Sequence, residues 1–211
     1  MLIQLAIDRL SIEAGIETAN KAREHIEWIE VGTSLIKEYG MESVRRFKEA
    51  FPDKSIVADM KTMDNAVYEM KICLEAGADV ATVMGSAPYE TIAACVKEAD
   101  HYGKKIMIDL LNTDDVKMKQ LLAFKNVIFC FHVSKDIQEL GKPPKLTIQR
   151  PEGLSQKIAA AGGITLQTFD ELAAAFPDVL IIGSAITKAE DPALAAKEFA
   201  DKIQAWESAV K

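Results

Sequence analysis

Leu2-Ile3-Gln4-Leu5-Ala6-Ile7-Asp8-Arg9-Leu10-Ser11, at residues 2–11, joins a short apolar run to a polar turn. Short aliphatic runs of this kind are typical of strands buried on both faces of a parallel sheet. Similar runs recur between longer amphipathic stretches, at residues 28–31, 55–58, 80–83, 105–108, 127–131, 157–161 and 179–182. This alternation predicts an α/β fold with a parallel sheet, either open and doubly wound or closed as a barrel.

The turn after the first run separates these two architectures. Open sheets usually carry a Gly-x-Gly-x-x-Gly turn or a P-loop at that point, whereas Asp8-Arg9-Leu10-Ser11 is neither. Eight strand-like runs are the number that a (β/α)8 TIM barrel requires, at the short end of the length range of that fold. No low-complexity or Ser/Gly-rich linker interrupts the chain. The sequence therefore predicts one (β/α)8 barrel domain over residues 1–211.

Composition excludes several classes of function. The chain has 211 residues and a net charge of −7, and nucleic-acid binding needs a surplus of Lys and Arg. No apolar run approaches the roughly 18 residues of a membrane span, and the first residues lack the features of a signal peptide. The three cysteines form no C-x-x-C pair, which favours a reducing compartment. We expect a cytoplasmic protein with no nucleic-acid or membrane partner.

Charged side chains gather where the predicted strands end, and catalytic residues of these barrels lie at the carboxyl ends of strands. They are Asp8, Glu30, Asp59, Lys61, Asp109 and His132. Any one of them alone is better explained as a structural ion pair, because a buried charge needs a partner. Six charged side chains at one end of a barrel are better explained by a functional site.

Asp59 and Lys61 are two residues apart, so strand periodicity predicts that both side chains lie on one side. Asp64 follows them, and it is expected either to belong to the same site or to be only the N-cap of a helix that starts at Asn65, because aspartate is a favoured N-cap residue. Glu30 and Asp59, on neighbouring strands, are hard oxygen ligands. They predict Mg²⁺, or Mn²⁺, rather than zinc.

His132 is predicted to be the general base, because it follows a strand beside these carboxylates. His25 and His101 lie near helix carboxyl termini, where a structural role is expected. The cysteines are interpreted as packing residues.

Glycines follow the last two predicted strands, at Gly162-Gly163 and at Gly183-Ser184. Each pair alone is typical of a tight turn, but loops after strands 7 and 8 of these barrels often bind a phosphate. Together these features predict a phosphorylated small-molecule substrate. A metal beside a base suits proton abstraction next to a carbonyl, which gives a metal-stabilised enediolate.

These residues resemble the orotidine-monophosphate decarboxylase suprafamily over essentially the whole chain. The resemblance is carried by Ile29-Glu30-Val31-Gly32-Thr33, the Asp59-x-Lys61-x-x-Asp64 motif, His132 with Asp136 and Gln138, and Ala161-Gly162-Gly163-Ile164. It implies that Glu30 and Asp59 bind Mg²⁺, that Lys61 stabilises or protonates an oxyanion, and that His132 is the acid/base. It also implies a homodimer with shared active sites, into which Asp64 projects from the partner subunit. Asp8 and Asp109 match acidic positions beside the substrate, and the backbone at Gly163, Gly183 and Ser184 would hold its phosphate.

Within the suprafamily, the sequence resembles two sister branches. In the aldolase branch, formaldehyde condenses with D-ribulose 5-phosphate to give D-arabino-3-hexulose 6-phosphate; the decarboxylase branch acts on 3-keto-L-gulonate 6-phosphate. Met63, residues 83–87 and Asp109 resemble the aldolase branch, whose aldehyde-lyase activity is expected here. Lys135 indicates the other branch, because the decarboxylase has there an arginine that helps to deliver a proton. Ser184 departs from both, and Lys142-Pro143-Pro144-Lys145 matches neither.

Two further alternatives fit the sequence less well. A ribulose-phosphate 3-epimerase needs two metal-binding histidines on strands, and only His132 qualifies. A non-catalytic phosphosugar-binding protein would be expected to lack one of Asp59, Lys61 and His132, and all three are present.

Overall fold

Eight parallel strands close into one barrel in the computed structural model, which describes residues 1–140, 150 and 154–210. Each strand pairs with its neighbours in chain order, and β1 pairs with β8 to complete the ring. The strands are β1 Leu2–Ile7, β2 Trp28–Val31, β3 Ser55–Thr62, β4 Val80–Met84, β5 Lys105–Asp109, β6 Val127–His132, β7 Lys157–Ala161 and β8 Val179–Ile182. The predicted (β/α)8 barrel is confirmed.

Helices alternate with the strands and cover the outside of the barrel. Those in the described part of the chain are α1 Ile12–Ala22, α2 Thr33–Tyr39, α3 Met41–Ala50, α4 Ala66–Glu75, α5 Tyr89–His101, α6 Asp115–Leu121, α7 Lys135–Glu139, α8 Phe169–Ala173, α9 Ser184–Thr187 and α10 Pro192–Ala209. The connection from β2 to β3 holds two of them, separated at Gly40, whose φ of 61° suits glycine.

The core has two layers because residues alternate along each strand. One apolar cluster packs the outer faces of the strands against the helices and includes Phe47, Phe129 and Phe199. A smaller cluster fills the barrel interior and includes Val57 and Met107. The interior is therefore closed below the carboxyl ends of the strands, and those ends are left to form a cavity.

All eight predicted runs form strands, with β3, β4, β5 and β6 extending beyond the predicted ends. The extensions bring Asp59, Lys61, Asp109 and His132 onto the strands themselves. The proline-rich segment at residues 142–145 lies outside the described residues. Within the described part of the chain, no helix combines the length and apolar character needed to cross a membrane.

Candidate active site

A cavity of about 450 Å³ opens at the carboxyl ends of the strands. Its volume is within the range of small-molecule sites. Ten of the eleven side chains and backbone positions singled out in the sequence line it: Asp8, Glu30, Asp59, Lys61, Asp109, His132, Lys135, Gly163, Gly183 and Ser184. Asp64 does not.

Asp59 and Lys61 meet as predicted, but the backbone between them is irregular. The register between β3 and β4 shifts between Ala58 and Thr62, and Lys61 has a φ of 48°. A non-glycine residue in this region is uncommon and is often found at functional sites. The Lys61 Nζ donates to Asp59 Oδ1 at 2.9 Å and to Oδ2 at 2.8 Å. The irregular strand thus turns the lysine back onto the carboxylate two residues before it.

Two threonines complete the surroundings of the Asp59 carboxylate. Thr33 at the start of α2 donates its hydroxyl to Oδ2 at 2.6 Å, and Thr82 on β4 donates to Oδ1 at 2.9 Å. Thr82 also accepts from the Lys61 backbone N–H. Neither threonine was predicted from the sequence. Thr33 belongs to the quoted Ile29–Thr33 motif, whereas nothing in the pattern distinguishes Thr82 from a packing residue.

Asp109 joins the lysine to the histidine. Its Oδ2 accepts from Lys61 Nζ at 3.1 Å and lies 2.9 Å from His132 Nδ1, while its Oδ1 accepts from the Leu111 N–H. Asp109 is only 3% exposed. Burial acts to raise the pKa of this carboxyl, but His132 and Lys61 outweigh it and hold the pKa below its usual value. Asp109 is therefore an anion that fixes both neighbours.

Lys61 is held as a cation by the same contacts. Burial acts to lower the pKa of its ammonium, but the carboxylates of Asp59 and Asp109 raise the pKa well above its usual value. The lysine therefore presents a fixed positive charge to the cavity and is not suited to act as a base at neutral pH.

Glu30 faces the cavity from β2, above Gln4 on β1. The Gln4 side-chain amide, fully buried, donates to Glu30 Oε2, while its own Oε1 has no partner among the described residues. Burial and the nearby Asp59 and Asp8 charges raise the pKa of Glu30 above its usual value. Gln4 was not singled out in the sequence, because a polar residue inside a barrel strand has no distinctive spacing.

Asp8 supports the neighbouring loop. Its Oδ1 accepts from the Ser34 backbone N–H at 3.0 Å. Gly32 allows this contact, because a Cβ there would lie 2.7 Å from that same oxygen. Asp8 therefore holds the start of α2, which carries Thr33, at the edge of the cavity.

The glycine turns lie together on the other side of the cavity. Gly162 and Gly163 have φ values of 101° and 69°, which favour glycine. A Cβ at Gly162 would lie 2.4 Å from the Val133 carbonyl oxygen. Gly183 and Ser184 line the same side from the neighbouring β8. We call Gly163, Gly183 and Ser184 the glycine cradle.

The prediction that Asp64 caps a helix starting at Asn65 is wrong. Helix α4 begins at Ala66, and its N-cap is Asn65, whose left-handed backbone (φ 57°) provides no side-chain cap. Asp64 is exposed and lies outside the cavity. Exposed apolar side chains surround it in the sequence, with Met63, Val67 and Tyr68 at 48%, 56% and 60% exposure.

Helix α7 brings further charge to the mouth of the cavity. Lys135, at its first turn, lines the cavity, and its Nζ lies 3.9 Å from the Glu139 carboxylate. The same carboxylate accepts from Arg9 Nη1 at 2.9 Å. Arg9 also lines the cavity, and sequence reasoning missed its role because its partner is 130 residues away.

The arrangement divides the cavity into two sides with different chemistry. One side holds carboxyl groups, a permanent cation and an imidazole, and the other holds cavity-lining backbone at glycine turns. The first suits proton transfer and stabilisation of an oxyanion, and the second suits an anion. The fold and the site are those of a barrel enzyme with a cavity of small-molecule size.

The chain belongs to the orotidine 5′-phosphate decarboxylase / HUMPS family, whose profile matches residues 1–199. It is 36% identical over 207 residues to a 3-hexulose-6-phosphate synthase of Bacillus subtilis (strain 168), covering 96% of this chain and 99% of that protein. The crystal structure of a 3-hexulose-6-phosphate synthase from Salmonella typhimurium superposes with a TM-score of 0.86 at 33% identity, covering 95% and 97% of the two chains. A 3-keto-L-gulonate-6-phosphate decarboxylase from Vibrio cholerae gives a TM-score of 0.80 at 28% identity, again covering 95% and 97%. The chain is therefore a lyase-type enzyme of this family.

Proposed function

We propose that the protein condenses formaldehyde with D-ribulose 5-phosphate to give D-arabino-3-hexulose 6-phosphate. The observation that carries the proposal is the contact chain from Asp59 through Lys61 and Asp109 to His132, which faces the glycine cradle across one cavity. The similarity to synthases of that name over nearly the full chain supports the same activity.

Glu30 and Asp59 would hold a divalent cation, with Mg²⁺ as the expected ion. No group of three or more His, Cys, Asp or Glu side chains in the described residues is close enough to enclose a metal. Mg²⁺ does not need such a cage, because it usually binds one or two carboxylates and keeps waters or substrate oxygens. The Asp59 charge also disfavours ionisation of Glu30 by raising its pKa, which a cation would offset. When bound, the ion would act as a Lewis acid on substrate oxygens.

His132 is the base that removes a proton from C1 of the ribulose phosphate, next to the C2 carbonyl. Its Nδ1 faces Asp109, and a carboxylate at that position favours the tautomer with the proton on Nδ1. The other ring nitrogen, Nε2, is then left as the acceptor for the substrate proton. Loss of the proton gives an enediolate, whose C1 attacks the carbon of formaldehyde.

Lys61 stabilises the negative charge that develops on the substrate oxygens. Its ammonium is fixed by Asp59 and Asp109, so its charge is oriented before the reaction begins. A charge that is already oriented stabilises the transition state without any cost of reorganisation. Its raised pKa keeps the amine protonated, and the ammonium or a water then supplies the proton for the new alkoxide.

The substrate phosphate binds at the glycine cradle. The turns at Gly163 and Gly183 bring backbone close to the cavity, and the loops after strands 7 and 8 are a frequent phosphate site in this fold. The reactive end of the sugar then points towards His132 and Lys61.

We place Asp64 in the active site of a partner subunit. It is exposed and outside its own cavity, on a surface with exposed Met63, Val67 and Tyr68. Apolar side chains that cluster on a surface are typical of protein contacts. A homodimer formed through this surface would explain why Asp64, which belongs to the same motif as Lys61, lies outside the cavity that Lys61 lines.

Decarboxylation of 3-keto-L-gulonate 6-phosphate is the second candidate. Lys135 lines the cavity, and its cation could deliver a proton to a carbanion left by CO₂. The same base, cation and cradle would serve that reaction.

One pair of assays tests the assignment. Formaldehyde consumption is measured with ribulose 5-phosphate, once with Mg²⁺ and once with EDTA, and CO₂ release is measured from 3-keto-L-gulonate 6-phosphate without added aldehyde. Metal-dependent loss of formaldehyde is expected. CO₂ release with no formaldehyde consumption would instead assign the decarboxylase activity.

A further inference from the structure

The glycine cradle lacks a cationic side chain of its own. Its members are two glycines and Ser184, which cannot neutralise a phosphate dianion. Three lysines line the same cavity: the Lys61 ammonium is engaged with Asp59 and Asp109, Lys135 lies 3.9 Å from Glu139, and Lys188 follows the helix that starts at Ser184. Phosphate sites in proteins usually add Arg or Lys to the backbone N–H groups, because charge-assisted hydrogen bonds are stronger than neutral ones.

Arg9 lines this cavity, and the fold places it beside the cradle. It follows β1, which pairs with β8, and a Cβ at Gly183 would lie 3.6 Å from the Ala6 carbonyl oxygen. The Arg9 backbone is in the left-handed region, with a φ of 55°. Such a conformation costs energy for a non-glycine residue, and it persists where the surroundings enforce it. The loop thus holds Arg9 at the mouth rather than letting it follow a regular turn.

Glu139 holds the Arg9 guanidinium across the mouth. The ion pair of 2.9 Å joins the loop after β1 to α7, which follows β6. The two strands between them in the ring, β7 and β8, are those that carry the glycine cradle. The pair therefore connects the two sides of the barrel that flank the cradle.

This ion pair is easily exchanged. The side chains of Arg9 and Glu139 are 60% and 49% exposed, and exposed ion pairs contribute little to stability. A phosphate offers the guanidinium more acceptor oxygens and more charge than one carboxylate, in the planar two-bond geometry that arginine prefers.

We propose that Arg9 is the side chain that binds the substrate phosphate, and that Glu139 occupies its guanidinium until the phosphate arrives. The inference rests on the proposed function, because it concerns the phosphate of the same substrate. It makes Arg9 a determinant of specificity for phosphorylated over unphosphorylated sugars. Glu139 is a positioning residue that also competes with the ligand.

Binding of inorganic phosphate tests the proposal without turnover. Titration calorimetry at constant ionic strength would give the Kd for wild type, Arg9→Gln, Lys188→Gln and Arg23→Gln. Arg23 is the matched control, since it forms an exposed pair with Asp53 away from the cavity. We expect Arg9→Gln to raise the Kd roughly tenfold, as loss of one charge-assisted contact would. Arg23→Gln should leave it unchanged, and Lys188→Gln, which removes another cavity lysine, should raise it less than Arg9→Gln.

The Glu139→Gln variant tests more directly whether Glu139 competes with phosphate for Arg9. Removing the competitor should lower the Kd for phosphate by about two- to fivefold, the range expected for an exposed pair. The gain should vanish when Arg9→Gln is also present. A gain that persists in the double variant would assign it to Lys135, the other neighbour of Glu139, and would overturn the proposal. So would an Arg9→Gln Kd within twofold of wild type.

Kinetics separate this inference from the function it rests on. Arg9→Gln should raise the KM for D-ribulose 5-phosphate and change kcat by less than about threefold, because a contact made equally in the ground state and the transition state affects KM alone. Phosphate binding that depends on Arg9 in a protein with no formaldehyde consumption would sustain the Arg9 assignment and refute the aldolase assignment. A wild-type protein that binds no phosphate would overturn the Arg9 assignment, and the formaldehyde assay would still decide the aldolase assignment.

Discussion

His132 Nδ1 lies 2.9 Å from Asp109 Oδ2. The contact follows from the barrel itself, because β5 and β6 are paired with Asp109 opposite Cys130, and His132 is two residues further along the same face. A buried carboxylate on Nδ1 fixes both the ring orientation and the tautomer of the histidine. The register of two strands therefore orients the proposed general base before any substrate binds.

Asp109→Asn should reduce kcat by roughly 10²- to 10⁴-fold, the range associated with a positioned acid/base. An asparagine amide can donate to Nδ1, which moves the proton to Nε2 and removes the acceptor. KM should change little, because the phosphate and the sugar still bind. Steady-state kinetics with Asp114→Asn as control would check this, since Asp114 caps α6 and asparagine is an equally good cap. Retention of more than a tenth of the wild-type kcat would contradict the assignment.

Lys61→Met should destabilise the protein as well as inactivate it. Removing the ammonium leaves the buried carboxylates of Asp59 and Asp109 without their cation, which typically costs about 3–5 kcal/mol. The pKa of Asp109 is lowered in the wild type, so that its stabilising effect is present at neutral pH. In the variant the folded carboxyls gain affinity for protons, and the difference in stability from wild type should shrink as the pH falls from 7 towards 4.

Urea denaturation at several pH values would measure this difference. Lys197→Met is the control, because Lys197 forms an exposed pair with Asp201 on α10 and should matter by less than about 1 kcal/mol. A Lys61→Met variant as stable as wild type at pH 7 would show that the two carboxylates do not depend on the lysine.

Sequence reasoning predicted the barrel well because each strand depends on a local apolar run. It also predicted that Asp59, Lys61, Asp109 and His132 gather, since the carboxyl ends of parallel strands share one end of a barrel. The contacts of Asp59 with Thr33 and Thr82 could not be predicted in the same way. They depend on side-chain rotamers and on a register shift in β3, which no spacing in the sequence records.

The errors and omissions have physical causes too. Asp64 was expected to cap α4 because aspartate is a favoured N-cap, but the left-handed backbone at Asn65 moves the helix start by one residue. The pair of Arg9 and Glu139 joins residues 130 positions apart. Their proximity depends on closure of the ring between β1 and β8, so that only the folded chain reveals it.

Asp59→Asn should abolish turnover and leave the fold intact. Asparagine has the same shape and can still form hydrogen bonds with Thr33 and Thr82, but it removes a charged oxygen ligand. Mg²⁺ should raise the Tm of the wild type, because a ligand that binds the folded state stabilises it. It should have no such effect on the variant. Thermal unfolding with and without Mg²⁺, with Asp191→Asn at the α10 cap as control, would check this, and full activity in Asp59→Asn would refute the proposed role.

Asp79 should make the stability pH-dependent without affecting catalysis. It lies outside the cavity and accepts from Lys104 and Lys48 and from the Ile56 N–H. Burial acts to raise the pKa of Asp79, but these contacts outweigh it and lower the pKa. A lowered folded-state pKa stabilises the protein above the unfolded value of about 3.9, and this stabilisation is lost as the pH falls through the folded value.

Asp79→Asn should therefore lower the free energy of unfolding at pH 7 by roughly 1–3 kcal/mol. The difference from wild type should disappear once the pH is below the folded-state pKa of Asp79. Its kcat should equal that of wild type. Asp53→Asn, which removes only an exposed pair with Arg23, provides the comparison for urea titrations. A difference that stays constant across the pH range would show that packing, and not the carboxylate charge, accounts for the effect.

If the proposed homodimer shares its active sites, two inactive variants should restore each other's activity. In a mixed dimer of Asp59→Asn and Asp64→Asn subunits, one site would combine both substitutions and the other would contain neither. Half of the dimers would be mixed and each would have one intact site, so about a quarter of the wild-type activity should return in a symmetric dimer. Mixing Asp59→Asn with His132→Gln should restore none, because both residues act in the same subunit's cavity. If Asp64 instead serves its own subunit, the first mixture would be as inactive as the second, and its exposure beside Met63 and Tyr68 would need another explanation.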